Sequence, residues 1–314
     1  GGFMERTIKY VTELYNSFDY QNLIPLKEVE EIFHYTTSDT LIKIIEHRKL
    51  RFTNRLFLND SSEGKYVLDL CIREIDNVWP KYCEYEKQEF IDSLKLLSTK
   101  IDSRYFQFYQ ASFSLCEDSL IMWNYYSQGN GTNINFSEKI LLESLRNQLQ
   151  DEVVKPIALL HGCVIYDEEE QIEILKKILF DFSMAEQHSN EWYLFTAMAV
   201  LNVGVFFKHY GFHDEREYRI VYNLYRDLDN PAKCLSLFWD KEQHEAYEFD
   251  VYQKANMLIP YVDVYFDGNA IQGILLSPKI TAEYYADGLK VLLQKYGLAT
   301  DRIKIKKSKI PLRF

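Results

Sequence analysis

The run Glu31-Ile32-Phe33-His34-Tyr35-Thr36 joins aromatic and β-branched residues without Gly or Pro, and predicts a first strand. Thr37-Ser38-Asp39 offers N-cap side chains to an amphipathic helix over Thr40–His47, and Leu50–Thr53 reads as the next strand. After a polar loop at Asn59–Gly64, helical periodicity runs from about Lys65 to Lys100, broken at Pro80. Tyr105–Ser114 alternates aromatic and polar residues as a strand. A short helix at Leu120–Tyr126, a hairpin-type turn at Gly129-Asn130-Gly131 and a strand at Thr132–Phe136 follow. Helices are expected over Glu138–Gln150, Glu169–Met184 and Glu191–Phe207, with a strand near Leu159–Tyr166.

At Glu215–Tyr222 a charged segment runs into strand-favouring residues. Further strands are expected at Cys234–Phe238, Tyr247–Tyr252, Ile259–Phe266 and Ile271–Leu276. A helix over Ala282–Tyr296 ends at Gly297, and a last strand covers Ile303–Ser308. No repeat, low-complexity tract or Gly/Ser/Pro linker divides the series. The expectation is one α+β domain over 1–314, its sheet mainly antiparallel, with helical insertions at 65–104 and 138–207.

Composition narrows the function classes. Hydrophobic residues at 47% and charged residues at 26% are ordinary for a globular chain and argue against extended disorder. A net charge of −11 disfavours a protein that coats nucleic acid by bulk electrostatics. The basic run Lys304, Lys306, Lys307, Lys309 and Arg313 reads as a solvated strand edge, or as a phosphate-facing patch. Five scattered cysteines lack zinc or redox spacing and fit reduced thiols in the cytoplasm. With neither a signal peptide nor an apolar run of spanning length, a soluble cytoplasmic protein without a membrane partner is expected.

Three groups carry candidate chemistry. A period of two would put Glu215, Glu217 and Arg219 on one strand face, if the strand begins early. Two carboxylates and a guanidinium there can steer a cationic transition state, or form a self-satisfied ion-pair cluster. Ser112 and Ser114 share a face ahead of the aromatic group Trp123, Tyr125 and Tyr126, which either plugs the core or holds a flat ligand. His34 lies mid-strand, as a satisfied sheet residue or a polar contact. His209 and His213 are four apart without a third ligand, so no metal is expected, and no Walker or Gly-x-Gly-x-x-Gly motif occurs.

In chain order, several motifs resemble a widespread bacterial family of unknown function. They are Phe33-His34-Tyr35-Thr36, Arg51-Phe52-Thr53, Phe57–Glu63, Ser112-Phe113-Ser114, Met122–Tyr126, Gly131–Phe136, Glu215–Arg219 and Ser308–Arg313. That family looks related to the ADP-ribosyltransferase fold, which implies a split-sheet core and NAD as substrate. By this resemblance His34, with Tyr35 and Thr36, would hold the NAD ribose. Ser112, Ser114 and Tyr125 or Tyr126 would line the nicotinamide pocket, with Arg219 beside them. Glu217 would be the catalytic carboxylate and Glu215 its partner. The implied activity is transfer of ADP-ribose to RNA, DNA or protein, as in a toxin or antiviral-defence effector with a possible antitoxin or regulatory partner. An NAD glycohydrolase and a non-catalytic nucleotide-sensing or partner-binding module are the alternatives.

Overall fold

A computed structural model describes residues 28–57, 63–79, 81, 86–101, 107–148, 159–183, 190–224, 249–254 and 256–311. Residues 59–62 of the polar loop expected over Asn59–Gly64, the break at Pro80 and the strand at 234–238 lie outside them, while Glu63 and Gly64 open a helix. The fold is mixed α+β, with a mostly antiparallel open sheet.

The strands are β1 (Glu31–Thr36), β2 (Lys49–Asn54), β3 (Gln107–Ser114), β4 (Thr132–Ser137), β5 (Leu159–Cys163), β6 (Glu217–Leu224), β7 (Phe249–Lys254), β8 (Met257–Tyr265), β9 (Ile271–Leu276) and β10 (Lys304–Lys307). The order β10-β9-β4-β1-β3-β2-β8-β7 forms the main path, and among the described strands only β9 and β10 pair in parallel. One side of β3 pairs along its whole length with β6, which in turn pairs with β5. Its other side meets β2 at Tyr109 and Gln110 but β1 only at Ser114, so β1 and β2 diverge there and the sheet forks.

Alternation gives the sheet two unlike faces. The core face carries Ile32, Phe52, Phe113, Ile134, Tyr218 and Val262. Over it lie α1 (Ser38–His47), α6 (Glu138–Arg146) and α9 (Ala282–Lys295), through Leu41 and Ile44, Leu141 and Leu145, and Leu289 and Leu293. The far face carries Phe33 and Tyr35, on which α5 (Leu120–Tyr126) packs Met122 and Trp123. Each of these helices forms where the sequence supplies a cap or an apolar stripe. Thr37 caps α1 and Ser119 caps α5, each through its side-chain oxygen.

The two stretches expected as helical insertions pack on each other. Val67, Leu70 and Phe90 come from α2 (Glu63–Arg73) and α4 (Lys87–Ile101), with the short α3 (Ile75–Val78) between them. They share a second core with Leu175, Ile178 and Val200 of α7 (Glu168–Ser183) and α8 (Asn190–Gly204). The apolar run before Lys208 is helical only as far as Gly204. Gly129-Asn130-Gly131 is not a hairpin turn: it joins α5 to β4, whose partners are β1 and β9. Among the described residues no helix is long and apolar enough to cross a membrane.

Candidate functional site

The chain leaves α8 at Gly204 and turns back beside Ile165, whose N–H donates to the Phe206 carbonyl (2.8 Å). Gln171 Nε2 donates to the carbonyls of Ile165 and Lys208, fixing this crossing. Lys208 is thereby placed beneath a 3₁₀ turn, Tyr210–Glu215. Arg216 ends that turn in a left-handed conformation (φ 44°), and β6 begins at Glu217. The strand therefore starts too late to include Glu215, yet the turn brings Glu215 back beside Glu217.

Arg219 Nε and Nη2 donate to Glu217 Oε1 and Oε2 at 2.9 and 2.8 Å, with both side chains buried. Lys208 Nζ donates to Glu217 Oε2 (3.2 Å) and Glu215 Oε2 (2.7 Å), and lies 4.7 Å from the centre of the Phe212 ring. Tyr126 OH donates to Glu215 Oε1 (2.9 Å), and the Glu217 N–H donates to Tyr166 OH (3.0 Å). Burial alone would raise the Glu217 carboxyl. The charges of Arg219 and Lys208, with hydrogen bonds from Arg219 and Ser112, outweigh it and hold the group well below the usual carboxylate range. Burial and the nearby carboxylates push both tyrosines up, so both stay neutral phenols.

Two anions and two cations thus meet in one place. Glu217 is a weakly basic group, ionised throughout the usual carboxylate range, whose oxygens are occupied. Glu215 is the more outward of the two, with its side chain 13% exposed against 7% for Glu217. It can meet a positive centre arriving from solvent.

The other expected residues divide. Ser112 lies opposite Arg219 and Ser114 opposite Glu217, so the serine pair and the carboxylate share the far face. Ser114 Oγ donates to the Glu215 carbonyl (2.8 Å) and accepts from the Cys116 N–H, which pins the turn. Tyr35 is on the same face, but its hydroxyl donates to the carbonyls of Cys116 and Glu117 and accepts from the Ser119 N–H. Tyr125 points to solvent at 77% exposure and Tyr126 inward, which separates the two.

His34 is not brought to this cluster. It lies opposite Ile134, 5.6 Å from the Phe113 ring, on the core face. Its Nδ1 donates to the Ser112 carbonyl at the sheet fork (3.3 Å), which fixes the Nδ1–H tautomer; burial lowers its pKa and keeps the ring neutral. Thr36, two residues on, alternates to the same side. A ribose held at Glu217 would be across the sheet from both.

Lys208 and Tyr166 are absent from the sequence-derived set. A lone lysine closing a long apolar run was the available signal for the first, since burying it demands counter-charges. Residues 122–220 match the family model DUF2971, described as a protein of unknown function. The DUF2971 match spans Tyr126, Lys208, Glu215, Glu217 and Arg219, and leaves out His34, Ser112 and Ser114. No curated protein and no solved structure matches the chain.

Proposed function

We propose that the chain is an NAD-consuming ADP-ribosyltransferase acting at the far-face cluster where β6 begins. The observation that carries this reading is adjacency: the strands bearing His34, the Ser112/Ser114 pair and the Glu-x-Glu segment are consecutive neighbours, β1-β3-β6. Such an order fits the split-sheet core implied by the resemblance. The roles shift from those expected. Glu215 serves as the carboxylate facing the reacting ribose, while Glu217 and Arg219 hold Lys208 and so set the position of Glu215. His34 serves the sheet.

In this reaction the bond from nicotinamide nitrogen to ribose C1′ breaks, and its electron pair leaves with nicotinamide. Positive charge develops at C1′, where a preorganised carboxylate stabilises it. The acceptor oxygen or nitrogen then bonds to C1′ and releases its proton to solvent or to Glu215.

A second reading is favoured by the charge balance of the cluster, in which each carboxylate oxygen of Glu215 and Glu217 already accepts from a protein donor. On that basis the fold is a non-catalytic nucleotide-binding module. Incubation with labelled NAD decides between them. Nicotinamide release with label on a macromolecule, lost in Glu215→Gln and kept in His34→Gln, is the expected result. Release without transfer indicates a hydrolase, and no release from the unaltered protein leaves the binding module.

A further inference from the structure

Away from the carboxylate cluster, the far face holds a cavity of about 290 Å³ at the other end of the sheet, over β1, β4, β9 and β10. Arg302, Lys304 and Lys306 form one wall. Lys304 lies opposite Gly273 and Lys306 opposite Leu275, so alternation turns both lysines to this side while Ile305 packs on the core. Lys306 Nζ is bound to Glu117 Oε1 (3.0 Å), whereas Lys304 makes no ion pair with any described residue. Counting Glu31 and Glu117 on the rim, the lining keeps one excess positive charge on a chain of net charge −11. Gly273 leaves the floor open, since a Cβ there would come within 3.0 Å of the Lys304 carbonyl.

The opposite wall is made of amides. Asn133 Nδ2 donates to the Glu117 carbonyl (2.6 Å) and Asn135 Nδ2 to Glu31 Oε1 (2.9 Å). Both partners are acceptors, so neither amide can be flipped, and the two oxygens are fixed as acceptors. Each Oδ1 is buried without a donor, and Asn133 itself is only 1% exposed. Unsatisfied buried acceptors are costly and rare. Between the two walls lie Gly273 and Leu275 of β9, while Phe33, on β1, borders the cavity beyond the amides.

An anion-binding wall and two acceptors that ask for N–H donors define a ligand of mixed character. We propose that this cavity binds a nucleoside monophosphate, its phosphate on Lys304 and Lys306 and its base against the amide wall, with an exocyclic amine directed to Asn133 and Asn135. The volume is at the small end for ligand sites, which suits one nucleotide. The site is separate from the Glu215 cluster and does not rest on the transferase reading.

Titration calorimetry of the full chain with AMP, GMP, CMP, UMP, adenosine and inorganic phosphate tests it. An amine-bearing nucleotide should bind at least tenfold tighter than adenosine, phosphate or UMP. Lys304→Glu, at an exposed position that does not endanger folding, should weaken it at least tenfold, and Glu215→Gln should leave it unchanged. The proposal is overturned if no nucleotide binds, if phosphate alone binds as well, or if Lys304→Glu has no effect while Glu215→Gln abolishes binding.

Discussion

Arg219 and Glu217, two residues apart on one strand, clasp each other through two parallel hydrogen bonds in the interior of the protein. Removing one partner strands the other charge, which costs far more than the pair itself contributes. Arg219→Met is expected to destabilise the fold by about 3–5 kcal/mol in urea unfolding. Adding Glu217→Gln should recover part of that loss. A double variant as unstable as Arg219→Met would mean that Arg219 acts through its contact with the Val205 carbonyl rather than through the ion pair.

Tyr126→Phe deletes the bond that ties α5 to Glu215 while keeping the ring. A hydrogen bond to a charged group contributes about 1.5 kcal/mol or more, and unfolding should register a loss of that order. If Glu215 faces substrate, the same variant should lower turnover of NAD more than it lowers stability. Equal and small effects on both would remove Tyr126 from the site.

His161 gives a pH signature. Its ring accepts from Arg146 Nη2 at Nε2 and donates from Nδ1 to Tyr218 OH, which in turn donates to Glu138. Burial, with Arg146 second, lowers the His161 pKa from 6.5 to about 4. The unfolded chain therefore binds a proton between those values that the folded chain refuses, so stability falls as pH drops from about 6.5 to about 4 and is intact above. At about 1.4 kcal/mol per unit the full loss is roughly 3 kcal/mol. Glu217, whose folded pKa is depressed, adds its own loss only below the ordinary carboxylate range. Midpoints of thermal unfolding across pH 4–7 should show a steeper upper slope in the parent than in His161→Gln, where the loss from His34, whose pKa burial also lowers, remains.

Two glycines should respond in opposite directions to alanine. A Cβ on Gly131 would stand 2.0 Å from the Thr36 carbonyl, so Gly131→Ala must push β1 from the turn, at a cost of about 3 kcal/mol. Gly288, in α9, has nothing within 4 Å of its Cβ position, and Gly288→Ala should stabilise by about 0.5–1 kcal/mol through helix propensity. Calorimetric melting of both variants checks the pair.

Much of the framework was legible from local pattern. Runs of strand-favouring residues located β1, β4 and β9, and capping residues located α1, because strand propensity and satisfaction of helix ends are local demands. Which face of the sheet His34 takes was not legible. A period of two says that Phe33 and His34 oppose each other, and leaves open which of them meets Ser112 and Glu217. Lys208 escaped for a related reason. Its partners are set by the reversal after Gly204, a tertiary crossing fixed by Gln171 rather than by neighbouring sequence. Glu215 and Glu217 do not share a strand face, because the strand begins at Glu217; a turn and a shared lysine bring them together instead.

The fork at β3 has a further consequence for how the molecule comes apart. Among the described strands, backbone hydrogen bonding passes between the β1-β4-β9-β10 wing and the β2-β8-β7 wing only through this one strand. Along its other edge β3 is joined to β6 over its whole length. Amide protons of either wing can therefore exchange with solvent by opening that wing alone, while those of β3 and β6 wait for global unfolding. Among the described strands, the ladder that carries Ser112, Glu217 and Arg219 is therefore expected to exchange most slowly, with the wings parting beside the Ser112 carbonyl that His34 holds.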